Sequence, residues 1–163
     1  MAYDGSESSK QISPSTSTAI PEVGSVYWCY APYKPRDRNA PITPGPDPHP
    51  VLVMSVYDEV DPPEVLIAPG TGTLGGAYSQ FDFEVTGDSS DAQAMGLTKS
   101  TRFKLSSIDR IPFSPNLFVP KDFNLSGIEH SKIGVAPDGV LKIAREKYSE
   151  LIKFVERINR QKR

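Results

Sequence analysis

Seven of the chain's sixteen prolines fall between residues 31 and 50, at positions 32, 35, 41, 44, 46, 48 and 50. Each one removes a backbone donor and fixes φ near −65°, so this stretch can form neither a helix interior nor a central strand. It reads as a long, semi-extended loop, longer than an ordinary connection, and loops of that length often carry binding function. With twelve glycines in 163 residues as well, the punctuation disfavours a helical bundle and favours short strands joined by irregular turns. The apolar segments are too few for two cores, so one domain is expected, with a flexible leader and one appended helix.

The strand signals sit on either side of that loop. Gly24–Tyr30 is dense in aromatic residues, and Val51–Tyr57 and Val65–Ala68 are apolar runs separated by an acidic, proline-containing turn. Alternation then recurs at Phe81, Phe83 and Val85, through Thr101–Leu105, and over Ile108–Phe113. Residues 88–96 read as a polar turn or the start of a short helix. Five or six such strands predict a small, strongly curved barrel, a closure that also removes exposed sheet edges.

From residue 137 the period changes. Leu141, Ala144, Tyr148, Leu151, Ile152, Val155 and Ile158 recur at steps of three and four, which predicts an amphipathic helix. Pro137 suits its start, while Gly139 should weaken the first turn so that the firm part begins near Val140. The expected organisation is a Ser/Thr-rich leader over 1–19, a barrel over 20–136 with its proline-rich loop at 31–50, and a helix over 137–163 packed on the barrel or on a partner. Net charge is −2. Residues 142–163 hold eight Lys/Arg against three Asp/Glu, a local +5 that leaves −7 on the rest. Such a tail fits RNA, DNA or an acidic protein patch, or is simply a solvated helix face.

The segment Ile67-Ala68-Pro69-Gly70-Thr71-Gly72-Thr73 ends an apolar run in two glycines and two hydroxyls. Backbone amides in such a turn can converge on an anion and a threonine hydroxyl can reach a phosphate, or the threonines merely cap and stiffen it. No Gly-Lys-Ser/Thr ending follows, so this is not a nucleotide-binding P-loop. His49 stands between Pro48 and Pro50 where the long loop enters a strand. An imidazole at that lip can transfer a proton or, when charged, bind phosphate. Arg36 and Arg38 offer guanidinium forks on the loop, either for a nucleic-acid backbone or for solvent. Tyr27, Trp28, Tyr30, Tyr33 and Tyr57 either fill the core or, if they share an exposed face, stack bases. His130 has no flanking ligand pattern and reads as a surface residue. Cys29, the single cysteine, reads as a buried structural thiol. No cofactor, no metal and no membrane span are expected, and the protein is expected to be soluble and cytoplasmic.

Taken in order, Pro21-Glu22-Val23-Gly24-Ser25-Val26-Tyr27-Trp28, His49-Pro50-Val51-Leu52-Val53-Met54-Ser55, Pro69-Gly70-Thr71 and, more loosely, Ser107-Ile108-Asp109-Arg110-Ile111 resemble the PemK/MazF family. The resemblance covers roughly residues 21–113. It implies an SH3-like barrel that dimerises, acts as a metal-independent endoribonuclease toxin and is inhibited by an antitoxin protein or peptide. In that family an arginine before the proline of the second strand works with a threonine after the third, stabilising attack of an RNA 2′-oxygen on its adjacent phosphate. Thr71 matches the threonine, whereas His49 stands in the arginine's place. An imidazole lacks the permanent charge and bidentate geometry of guanidinium. With Thr71 supplied by the resemblance and the rest by the residues' own chemistry, His49 and Thr71 are the expected catalytic residues and Arg36, Arg38 and Thr73 the expected RNA-binding residues, with one of the two arginines restoring the charge. The alternative is a non-catalytic SH3-like module that binds nucleic acid or a protein partner.

Overall fold

A computed structural model describes residues 20–32, 42–75 and 79–162. Its strands are β1 (Ser25–Cys29), β2 (His49–Tyr57), β3 (Glu64–Thr71), β4 (Asp82–Val85), β5 (Thr101–Lys104), β6 (Asp109–Pro112) and β7 (Lys132–Val135), with helices α1 (Ser90–Ala94) and α2 (Asp138–Gln161). They form a curled antiparallel sheet in the order β4-β5-β3-β2-β1-β7, with β6 also paired to β3. The fold is mainly β, an SH3-like barrel followed by a C-terminal helix.

The curl centres on β3. One edge of β3 pairs with β2 along most of its length, while the other edge is divided: residues 64–67 pair with β6, and Gly70 and Thr71 pair with Phe103 and Arg102 of β5. Two partners on one edge force the sheet to bend around β3. Bulges between Val53 and Ser55 and between Val26 and Tyr27 add to the bend.

The alternation read from the sequence builds two cores, one on each side of the sheet. Val26, Leu52, Ala68, Phe83 and Phe103 face one side, where Met95 and the buried Val140 and Ala144 of α2 cover them. Phe81 meets Phe154 of α2 with ring centroids 5.4 Å apart, and Lys147 Nζ donates to the Gln80 carbonyl at 2.8 Å. The helix thus lies on the barrel. On the opposite side Tyr27, Cys29, Val51, Val53 and Ile67 pack under the segment bearing Phe113, Leu117 and Phe118. Tyr27 and Phe113 pack edge to face with centroids 5.2 Å apart.

The expected C-terminal helix forms as α2, Asp138–Gln161, with Pro137 at its N-cap. Two expectations are corrected. The described residues hold seven strands where five or six were expected, because Lys132–Val135 pairs with β1, and its burial pattern, exposed at both ends, carries no apolar alternation. The strand expected to stop at Ala68 runs on through Thr71. It does so because β5 supplies a ladder there and because Gly70 admits the close approach: a Cβ on it would stand 2.8 Å from Thr101 Cγ2 and 3.1 Å from the Pro50 carbonyl oxygen.

Candidate functional site

One rung of the sheet organises the site. β1 sets Cys29 opposite His49, β5 sets Arg102 opposite Thr71, and β4 sets Glu84 opposite Arg102. Between β2 and β3 the pairing of Val51 with Pro69, continued by two residues, sets His49 opposite Thr71. Directly opposed residues of antiparallel strands project to the same side and lie about 4.5–5.5 Å apart at Cα. His49, Thr71 and Arg102 therefore stand side by side on three neighbouring strands.

That side of the sheet is the one carrying the second core. Its apolar half is closed by Phe113, Leu117 and Phe118, whereas its polar continuation borders a cavity of about 390 Å³ lined by His49, Thr71, Thr73, Arg102, Lys104 and Ser107 together with loop residues such as Pro32. The end of the proline-rich loop is tied in place, since the Gly45 amide donates to the Tyr30 carbonyl at 3.2 Å. An added Cβ on Gly45 would lie 2.4 Å from the Ala31 carbonyl oxygen, so glycine lets this turn close against β1. His49 enters β2 from that anchored turn.

Each polar group has a definite setting. Thr71 Oγ1 accepts from the Thr73 amide at 3.1 Å, a bond that caps the turn, and the hydroxyl's own hydrogen is not spent in that bond. Arg102 is 5% exposed, and its Nε and Nη2 donate to Glu84 Oε2 at 3.2 and 3.0 Å while Nη2 also donates to the Leu74 carbonyl. The guanidinium is thereby fixed against the strand ends instead of ranging through solvent. Burial lowers the pKa of His49 below its ordinary 6.5; nearby Asp47 opposes this and Lys99 adds to it. The imidazole is mostly neutral at pH 7, as a proton acceptor must be.

A second cavity, of about 210 Å³, adjoins the first, and His49, Thr71 and Thr73 line both. Trp28, Leu97, Lys99, Lys121 and Ile133 form its other walls. The aromatic residues thus divide. Tyr27 belongs to the core, Tyr57 lies 3.7 Å from the Arg110 guanidinium carbon, and Trp28 opens onto this cavity with Lys121 Nζ 4.8 Å from its ring centroid.

Of the sequence-predicted site, His49, Thr71 and Thr73 come together. Arg36 and Arg38, like Tyr33, lie outside the described residues. Among the described residues a cation beside Thr71 is Arg102, and the sequence offered one signal for it: alternation in Thr101-Arg102-Phe103-Lys104 puts Arg102 and Lys104 on the side away from Phe103. Cys29 is fully buried and its thiol pKa is raised by burial, in keeping with a structural role. His130 is exposed and 3.9 Å from Glu129. Among the described residues no group of three or more His, Cys, Asp or Glu side chains is placed to hold a metal ion, and no helix is long and apolar enough to cross a membrane.

No family model matches this chain, and no curated protein matches it in sequence. Among solved structures it is similar to the crystal structure of MazE-MazF from Deinococcus radiodurans, with 17% identity and a TM-score of 0.47 over 82% of this chain and 96% of that one. The match is distant and concerns the fold.

Proposed function

We propose that the protein is a metal-independent endoribonuclease of PemK/MazF type that cleaves single-stranded RNA at the His49–Thr71–Arg102 rung. The observation that carries this reading is the register: a neutral imidazole, an oriented hydroxyl and a fixed guanidinium stand on three adjacent strands beside one cavity. His49 takes the proton of the RNA 2′-hydroxyl. The 2′-oxygen attacks the adjacent phosphorus, the bond to O5′ breaks, and O5′ gains a proton from solvent. The products are a 2′,3′-cyclic phosphate and a 5′-hydroxyl. Arg102 stabilises the negative charge that builds on the phosphorane oxygens, and Thr71 donates a hydrogen bond to one of them. Arg102 thus takes the part that Arg36 or Arg38 was expected to play.

Two features of the resemblance come with this reading, an antitoxin protein or peptide as inhibitor and a homodimer as the working form, together with the division read from composition and periodicity into a 1–19 leader, a 20–136 barrel and a 137–163 helix. The second reading, a non-catalytic SH3-like module for nucleic acid or protein, is favoured by Glu84, which shares the charge of Arg102. Incubating pure protein with unstructured RNA in excess chelator separates the two. Cleavage that yields 2′,3′-cyclic ends, and that fails on a 2′-deoxy substrate, supports the enzyme. Intact RNA at high protein excess rejects it.

A further inference from the structure

The second cavity has walls that the cleavage chemistry does not use. Trp28, Leu97 and Ile133 make it partly apolar, while Lys99 and Lys121 bring two cations to its edge. Its position is set by backbone. Trp28 pairs with Pro50 across β1 and β2, one residue from the His49 rung and on the opposite side of the sheet. The Lys99 side chain lies across the end of β3, close over Gly72. At about 210 Å³ the space is below the ~300–1,000 Å³ of drug-sized sites and suits one planar ring system.

We propose that this cavity is a nucleobase subsite for single-stranded RNA, in which a base next to the scissile linkage stacks on the Trp28 indole while Lys99 and Lys121 hold the phosphate that follows. This rests on the ribonuclease reading, which puts the scissile phosphate at the wall His49 and Thr71 share between the two cavities. An aromatic platform flanked by lysines is how sequence-tolerant single-strand binding is built. Lys121 now lies over the indole at 4.8 Å. A surface cation–π contact is weaker than base stacking, so an arriving base displaces the flexible ammonium, which turns to the phosphate. Among the described residues its walls offer hydroxyls from Thr98 and Thr101 and no carboxylate, which fits an anionic strand.

Trp28 is the chain's single tryptophan, so its emission reports on this cavity alone. The test titrates the full chain with a 2′-O-methyl RNA oligonucleotide, which cannot be cleaved, and with the same oligonucleotide made abasic. Stacking quenches Trp28 with the normal strand, and the abasic strand binds without quenching. Trp28→Leu loosens binding by about 5- to 100-fold, and Trp28→Phe recovers most of it. Lys99→Ala and Lys121→Ala each flatten the salt dependence by about 0.7 in the log–log slope. Binding with unchanged Trp28 emission and unaltered salt slopes in the lysine variants overturns the subsite, as does absence of binding. The quenching is read on the unsubstituted protein, and Lys99 is exposed, so a variant at Trp28 that fails to fold leaves both tests in force. Quenching without cleavage of unmodified RNA keeps the subsite and removes the catalytic reading. Cleavage without quenching does the reverse.

Discussion

Replacing Arg102 with methionine separates chemistry from folding. Methionine keeps an unbranched stem in a site where the arginine side chain is 6% exposed, but removes every donor. Among its described partners, Glu84 and the Leu74 carbonyl feel the loss. Glu84 is 38% exposed and rehydrates on its open side, and the Leu74 carbonyl loses a donor. Removing one partner of a fully buried pair costs about 3–5 kcal/mol; because Glu84 reaches water, the cost here is about 1–3 kcal/mol. Against a total stability of about 5–15 kcal/mol, that leaves no more than a few per cent of the chain unfolded. Loss of an oxyanion-stabilising donor lowers the chemical rate about 100- to 1,000-fold. Urea unfolding gives the first quantity and single-turnover RNA cleavage the second. A well-folded Arg102→Met protein that cleaves within about threefold of the unsubstituted rate refutes the role assigned to the guanidinium.

Further expectations concern the neighbours of Arg102. Thr71→Val keeps the shape of β3 but removes the hydroxyl, and cleavage should fall by about 100-fold with a near-normal unfolding midpoint. The pH profile follows from His49, whose folded pKa is lowered by burial. Its neutral form is favoured by folding, so its contribution to stability is complete above 6.5 and is lost as pH falls through the folded value. The same deprotonation governs kcat/KM, which should drop on the acid side with an inflection below 6.5; Lys99→Ala should move that inflection upward. An NMR titration of the imidazole checks both shifts. Gly96→Ala should destabilise by about 2–4 kcal/mol in denaturant melts, because Gly96 has φ +72° and a Cβ there would meet the Ile133 carbonyl oxygen at 2.0 Å. Cys29 is buried, with its thiol pushed toward the neutral form, and should react with a thiol reagent only at the rate of unfolding.

The elements that announced themselves in the sequence were those with an apolar run or an apolar alternation. Val51–Tyr57 carries the run, Phe81–Val85 and Thr101–Leu105 carry the alternation, and strands form over or within each of them. The C-terminal stripe likewise marks α2. β7 carries no such mark. Its pattern is exposed, intermediate, intermediate, exposed, and its place depends on pairing with β1 and on Gly134, where a Cβ would come 2.3 Å from the backbone of Met95. For the site, local sequence singled out His49 between two prolines and Thr71 between two glycines, and the register sets the two side by side. Arg102 was hidden for a different reason. Its role depends on β5 crossing to the end of β3, a contact between residues 31 positions apart that no periodicity encodes. Trp28 was ambiguous because one strand presents Tyr27 to one core and Trp28 to the other side. Alternation says that the two diverge, and only the tertiary fold says which one meets a cavity.

The central claim is that three side chains from three strands meet at one phosphodiester. A titration of isotope-labelled protein with a 2′-O-methyl oligonucleotide, followed at the His49 imidazole, the Thr71 amide and the Arg102 Nε–H, tests it most directly. All three signals should move together along one saturation curve. Signals that respond at separate concentrations, or an Arg102 Nε–H that stays still while the strand saturates the protein, contradict it.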